Sequence, residues 1–302
     1  MNKVYIIGGG TIGRALAVIL QRHGRNVVLV RASQEAPAST EAIRVFLNDG
    51  TGIEEEVAVS SLGLIPAFDG VVVVTTKSYG NEGVAGALKG KTGGSPVVIL
   101  QNGLGVEEPF LQAGLDLLYR CVLFATSQYK EGGDVSFKPV TASPIGAVAG
   151  GPGLLEGIVG ALHTPLFPFS ASRDIKTIVW TKTIANCVFN SVCPLLETDN
   201  GIFHRNPEAL RLAEEMIAEC VAVAGLEGIR LSAGEVTERL LLISKSSDGQ
   251  FISTLQDIRN KRPTEIDTLN FAIARAAAAK GRAELAPITK ALGELTKLKS
   301  ML

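Results

Sequence analysis

Residues 3–13 read KVYIIGGGTIG, and no other stretch of the chain restricts its fold so strongly. A β-rich apolar run ends in Gly8-x-Gly10-x-x-Gly13 and passes into a helical pattern through Ile12, Leu16, Ile19 and Leu20. In a strand–turn–helix unit the first glycine permits the tight turn. The second lets backbone approach a pyrophosphate, and the third lets helix pack on strand. The loop Gly8, Gly9, Gly10, Thr11, Ile12, Gly13 then offers the positive end of a helix to phosphates. This predicts a dinucleotide-binding α/β domain.

The following segments extend that unit. NVVLV (26–30), GVVVVTT (70–76), PVVILQ (96–101) and a run around 121–126 read as strands, with a helix near 80–89. Near-continuous Val/Ile strands separated by helices predict a parallel sheet covered on both faces. IRVFLND (43–49) and EEVAVSS (55–61) read as a small excursion turning at Asn48-Asp49-Gly50. VAGGPGL (148–154) reads as a surface connection. After about residue 168 the character changes to helix, as in PEALRLAEEMIAECVAVAG (207–225). Thr264-Glu265-Ile266-Asp267 follows Pro263 and is expected to open another helix with a start like a capping box. The expected domains are 1–168, dinucleotide-binding, and 169–302, all helical.

Composition narrows the function classes. Net charge is −1 with no long charged block, which argues against nucleic acid or a membrane surface as partner. Apolar windows such as VVVV at 71–74 fall far short of the roughly 20 residues of a membrane span. The first strand begins at once, with no leader pattern, so the cytoplasm is the expected location. Cys121, Cys187, Cys193 and Cys220 form no CxxC pair, and the three histidines (His23, His163, His204) form no metal motif. No metal site is expected, and any proton chemistry falls to another residue type.

Three strand ends carry chemistry. An NAD enzyme usually ends its second strand in Asp or Glu, for the ribose 2′-hydroxyl. Here that strand ends in Val30-Arg31-Ala32-Ser33. A carboxylate would repel a 2′-phosphate, whereas Arg31 can bind one bidentately and Ser33 can add a hydrogen bond. The expected cofactor is NADPH/NADP. Lys77 follows VVVVTT and Asn102 follows VVILQ, where ligands gather in open α/β sheets.

In the second half, WTKTIANCVFNSVCPLL (180–196) is an apolar helix in which Lys182, Asn186 and Asn190 recur every fourth residue. Such a spacing drifts only about 80° around a helix, so the three share one face. Buried amides and ammonium groups need partners, within the protein or on a ligand.

Taken together, GGGTIG, VTTKSY, QNGLG, WTKTIANCVFNSVCPL and FISTLQDIRNKRPTEID (251–267) resemble the ketopantoate reductase (2-dehydropantoate 2-reductase) family over essentially the whole chain. The resemblance implies a Rossmann-type domain for NADPH and a helical domain like the C-terminal domain of 6-phosphogluconate dehydrogenase, which closes a substrate cleft. It further implies Lys182 as general acid, with Asn186, Asn190, Asn200 and Ser253 on the substrate. Glu265 would serve the substrate and cofactor region, and Lys77, Asn102 and Gln128 the cofactor side. Lysine is protonated near pH 7 and can both stabilise a developing alkoxide and protonate it; partial burial would bring its pKa into a useful range. The reaction that the resemblance implies is NADPH-dependent reduction of 2-dehydropantoate (ketopantoate) to pantoate, in pantothenate and coenzyme A biosynthesis, with hydride passing to the C2 ketone; a homodimer is compatible with it. Two alternatives stay open: an NADP-dependent reductase of another 2-oxo acid, and a protein that senses NADP(H) without turning it over.

Overall fold

The computed structural model describes residues 3–32 and 36–302. The chain divides into two compact units, one of residues 1–101 and 106–175, the other of 102–105 and 176–302.

The first unit carries strands β1 (Lys3–Ile7), β2 (Asn26–Arg31), β3 (Ser39–Phe46), β4 (Gly52–Ser61), β5 (Val71–Val74), β6 (Val97–Ile99), β7 (Leu118–Cys121), β8 (Ala125–Tyr129), β9 (Val135–Pro139), β10 (Ser143–Ala149) and β11 (Phe169–Ala171). Helices α1 (Thr11–Arg22), α2 (Asn81–Leu88), α3 (Glu108–Gln112) and α4 (Leu155–Leu162) connect them. All strands join one sheet in the order β11-β10-β7-β6-β5-β1-β2-β4-β3-β9-β8. Its centre, from β7 through β6, β5, β1 and β2 to β4, is parallel throughout.

The apolar strands are continuous because both faces of this centre are covered. Val4, Ile6, Val71, Val73 and Val98 enter one core, while Tyr5, Ile7, Val72, Val74, Val97 and Ile99 enter the other. Alternate residues of a strand point to opposite faces, so a strand buried on both sides cannot alternate in polarity. All four residues of β5 are fully buried.

The Val/Ile strands pair parallel as expected, and antiparallel pairings at β7/β10, β3/β4 and β8/β9 extend the sheet on either side. Two expectations need correction here. The segment 43–61 is no excursion: β3 and β4 form a hairpin built into the sheet through the parallel pairing of β4 with β2. Gly50, with φ +85°, makes the turn at Asn48–Gly50. The single strand expected around 121–126 is two, ending at Cys121 and resuming at Ala125. Between them the Val122 N–H turns to the Pro144 carbonyl (2.9 Å) and the Phe124 N–H to the Ser143 hydroxyl (2.9 Å). The 148–154 segment leaves the end of β10 through Gly150 and Gly151, both at positive φ, as a connection.

The second unit contains helices α5 (Ile175–Leu196), α6 (Ile202–Arg205), α7 (Pro207–Leu226), α8 (Ala233–Ser246), α9 (Ser253–Arg259), α10 (Asn270–Ala279) and α11 (Pro287–Lys299). Helix α7 begins as its sequence dictates. Asn206 Oδ1 accepts from the N–H groups of Glu208 (2.9 Å) and Ala209 (3.0 Å), and Pro207 occupies the first turn. Trp180, Ile184, Val188, Phe189 and Val192 of α5 pack with Met216, Ile217 and Val223 of α7 and Leu269 and Ile273 at α10.

The helix expected to open at Thr264 does not form there. Ile266–Thr268 is a single 3₁₀ turn with no side-chain cap, and α10 starts at Asn270. Leu269, at φ −106° and ψ −103°, lies outside helical space and separates the two. The Thr268 hydroxyl instead donates to the carbonyls of Glu265 (3.0 Å) and Asn102 (3.4 Å).

Candidate active site

The glycine loop joins β1 to α1, and its glycines have distinct physical reasons. At Gly8, with φ +124°, an added Cβ would lie 2.6 Å from Thr75 Oγ1. At Gly13 it would lie 1.9 Å from the Gly8 carbonyl oxygen, so this glycine lets the helix pack on the strand. Around Gly9 and Gly10 there is open space. Helix α1 starts without a side-chain cap and without an acidic residue in its first turn. Its leading N–H groups, with no carboxylate in their own turn, thus face an open cradle that suits a pyrophosphate.

Other predicted cofactor residues gather on this first unit. Arg31 ends β2 and pairs with Glu41 of β3, whose other oxygen meets Arg14 of α1 at 3.5 Å. Ser33 lies outside the described residues. Lys77 is half-buried just past the end of β5, ahead of the turn Ser78–Gly80. Gln128 is exposed on β8, a strand whose neighbours reach the glycine loop. The Tyr129 hydroxyl donates to the Gly9 carbonyl (3.3 Å) and Thr11 Oγ1 to the Ser127 carbonyl (3.4 Å).

Asn102 leaves the end of β6 in a loop that belongs to the second unit. Gly103, at φ +96°, lies so close to Thr268 that a Cβ would meet the Thr268 carbonyl oxygen at 2.3 Å. The Leu104 N–H donates to that same oxygen at 2.8 Å. Since Thr268 also bonds the Glu265 carbonyl, Asn102 and Glu265 are fixed on either side of one threonine. Sequence spacing alone did not suggest Thr268.

On α5 the expected polar face is present. Lys182 and Asn186 are half-buried and Asn190 is buried at 3% exposure. Asn190 is engaged within the protein. Its Oδ1 accepts from the Thr254 hydroxyl (2.7 Å), the Ser253 hydroxyl (3.3 Å) and the Thr254 N–H (3.4 Å), and its Nδ2 donates to the Asn186 carbonyl (3.0 Å). The start of α9, and with it Ser253, is thereby pinned to α5.

Asn200 sits between α5 and α6. Its N–H donates to the Gln250 carbonyl (2.9 Å) and its own carbonyl accepts from the Ser244 hydroxyl (2.7 Å). Its Oδ1 is buried and lacks a hydrogen-bond partner among the described residues. The neighbouring Asp199 carboxylate accepts from Arg205 (2.8 Å to each oxygen) and from the N–H groups of Gly201 (2.7 Å) and Gly249 (3.3 Å). The Arg205 bond, with those backbone donors, holds the Asp199 carboxyl below its usual range.

The cysteines are poor nucleophiles. All four are buried. Burial, with the Asp199 charge adding to it, pushes the Cys193 thiol up to about 12, and burial beside Cys220 pushes Cys187 well above its ordinary value. Among the described residues no group of His, Cys, Asp and Glu could hold a metal ion, and no helix is long and apolar enough to cross a membrane.

A glycine cradle at the start of a wound α/β sheet, followed by a helical unit with an ordered polar face, defines a two-unit protein of the Rossmann-type dinucleotide-binding class. The family described as ketopantoate reductase PanE/ApbA matches residues 4–148, and its C-terminal domain matches residues 174–300. The chain belongs to the ketopantoate reductase family.

Relatives agree along the length. The 2-dehydropantoate 2-reductase of Pyrococcus horikoshii is 26% identical over 272 residues, covering 89% of this chain and 88% of its own. That of Halobacterium salinarum is 26% identical over 303 residues, covering 98% of each. Among solved structures, a ketopantoate reductase from Staphylococcus aureus, described as dimeric, shares the fold with a TM-score of 0.83 at 19% identity, covering 99% of both chains. A D-mandelate dehydrogenase bound to NADH and anilino(oxo)acetate has a TM-score of 0.84 at 22% identity, covering 99% of this chain and 98% of its own.

Proposed function

We propose that this protein reduces 2-dehydropantoate (ketopantoate) to pantoate with NADPH, in the cytoplasm, as a step toward pantothenate and coenzyme A. The observation that carries the reading is the family match over both units, joined to the polar face of α5 with Lys182 at its head. When bound, NADPH supplies the hydride that reduces the C2 ketone. Gly8–Gly13 and the start of α1 hold the pyrophosphate, Arg31 takes the 2′-phosphate, and Lys77, Asn102 and Gln128 complete the cofactor contacts.

Lys182 supplies positive charge and then a proton to the oxygen that becomes the C2 hydroxyl, which is the work of a general acid. Asn186, Asn200 and Ser253 bind the substrate's polar groups, and Asn200 brings a buried amide oxygen that has no partner among the described residues. Asn190 is assigned a positioning role, since its oxygen is taken by Ser253 and Thr254. Glu265 accepts the hydroxyl at C4 of ketopantoate.

Lys182→Ala should lower kcat by on the order of 10²–10⁴, the usual contribution of a positioned acid. Its affinity for NADPH, read by nucleotide fluorescence, should stay close to wild type. A kcat equal to wild type would remove Lys182 from the mechanism.

A further inference from the structure

Arg31, Glu41 and Arg14 form a chain of charge from the end of β2 to the glycine loop. Glu41 gives one carboxylate oxygen to Arg31 and the other to Arg14 (3.5 Å), and Arg14 Nε donates to the Gly9 carbonyl (3.1 Å). The three side chains keep 32%, 24% and 28% of their surface exposed, so a nucleotide on the loop can reach them. Two cations and one anion leave a net charge of +1, half of what the arginines alone would present.

We infer that Glu41 is a specificity-determining residue that opposes Arg31 and weakens discrimination in favour of NADPH over NADH. The inference rests on the reading that Arg31 faces the ribose 2′ position. There the two groups have opposite preferences. A guanidinium favours a 2′-phosphate, whereas a carboxylate accepts a bond from a 2′-hydroxyl and repels the phosphate. In NAD enzymes that carboxylate ends the second strand; here it arrives from β3, and a cation holds the strand end. With its Nη2 given to Glu41, Arg31 presents a 2′-phosphate with only its remaining N–H groups unless that bond loosens. Arg14 keeps the carboxylate partnered meanwhile, so the exchange leaves no bare charge, but the negative charge stays close to the incoming phosphate. NADH demands no such exchange.

Dissociation constants of NADPH and NADH, measured by nucleotide fluorescence for wild type, Glu41→Gln, Glu41→Ala and Arg31→Ala, test this. Removing one full charge at contact range should raise the ratio Kd(NADH)/Kd(NADPH) about tenfold in Glu41→Gln. The change should come mainly from tighter NADPH, and Glu41→Ala should move the ratio the same way. Arg31→Ala should lower it. If Glu41 merely held β3 in place, both affinities would fall together in its variants and the ratio would stay constant; that result, or a lower ratio, overturns the inference. An unchanged ratio in Arg31→Ala would instead overturn the assignment of Arg31 to the 2′-phosphate, whatever the Glu41 variants do.

Discussion

Asn190 shows what one buried amide does in this fold. Its oxygen collects two hydroxyls and a backbone N–H from Ser253 and Thr254. Truncation would leave buried donors unpaired, and each such loss costs about 1–3 kcal/mol. Asn190→Ala should therefore lower the free energy of unfolding by about 2–3 kcal/mol in urea titrations; a change under about 0.5 kcal/mol would contradict the assignment. The sequence announced Asn190 through its spacing from Lys182 and Asn186, because helical periodicity is local. It could not announce the partners, which lie 63 and 64 residues away. Glu41 was illegible for the same reason: only the register of β2, β4 and β3 brings it to Arg31.

Among the elements, the turn from α5 to α6 is held by charge. Asp199 ties Arg205, Gly201 and Gly249 together, and Arg205 also pairs with Asp248. A Cβ at Gly201 would lie 1.8 Å from Asp248 Oδ1, so a larger residue there would push the Asp248 side chain aside. The folded-state pKa of Asp199 is depressed by the Arg205 bond. Its stabilising contribution is therefore complete above the unfolded carboxylate value near 3.9 and is lost as pH falls below it, through the folded value. The stability difference between wild type and Asp199→Asn, from urea titrations across pH, should be constant above about pH 5 and shrink below about pH 4. A difference that grew on acidification would contradict this. Helix α7 was legible from the run PEALRLAEEMIAECVAVAG, since helical character is local in sequence. The segment at 264–267 misled for a complementary reason: its Thr-Glu pattern is local, but Thr268 turns to Asn102, far away in the chain.

In the whole molecule, the parallel centre of the sheet could be read from runs such as VVVV, because burial on both faces forces continuous apolarity. The edge strands β8 to β11 are short and mixed in polarity, and their pairing depends on neighbours the sequence does not mark. Family membership accounts for both units, and the substrate is the claim on which the functional account turns. Ketopantoate carries a 4-hydroxyl that 2-oxoisovalerate lacks, with the same branching. A site built to bond a hydroxyl rejects an analogue without it, because its own polar groups then lose their partner. The most direct measurement is kcat/KM for NADPH oxidation with each of the two acids. The account predicts that ketopantoate is favoured by on the order of 100-fold or more, and equal values for the two would contradict it.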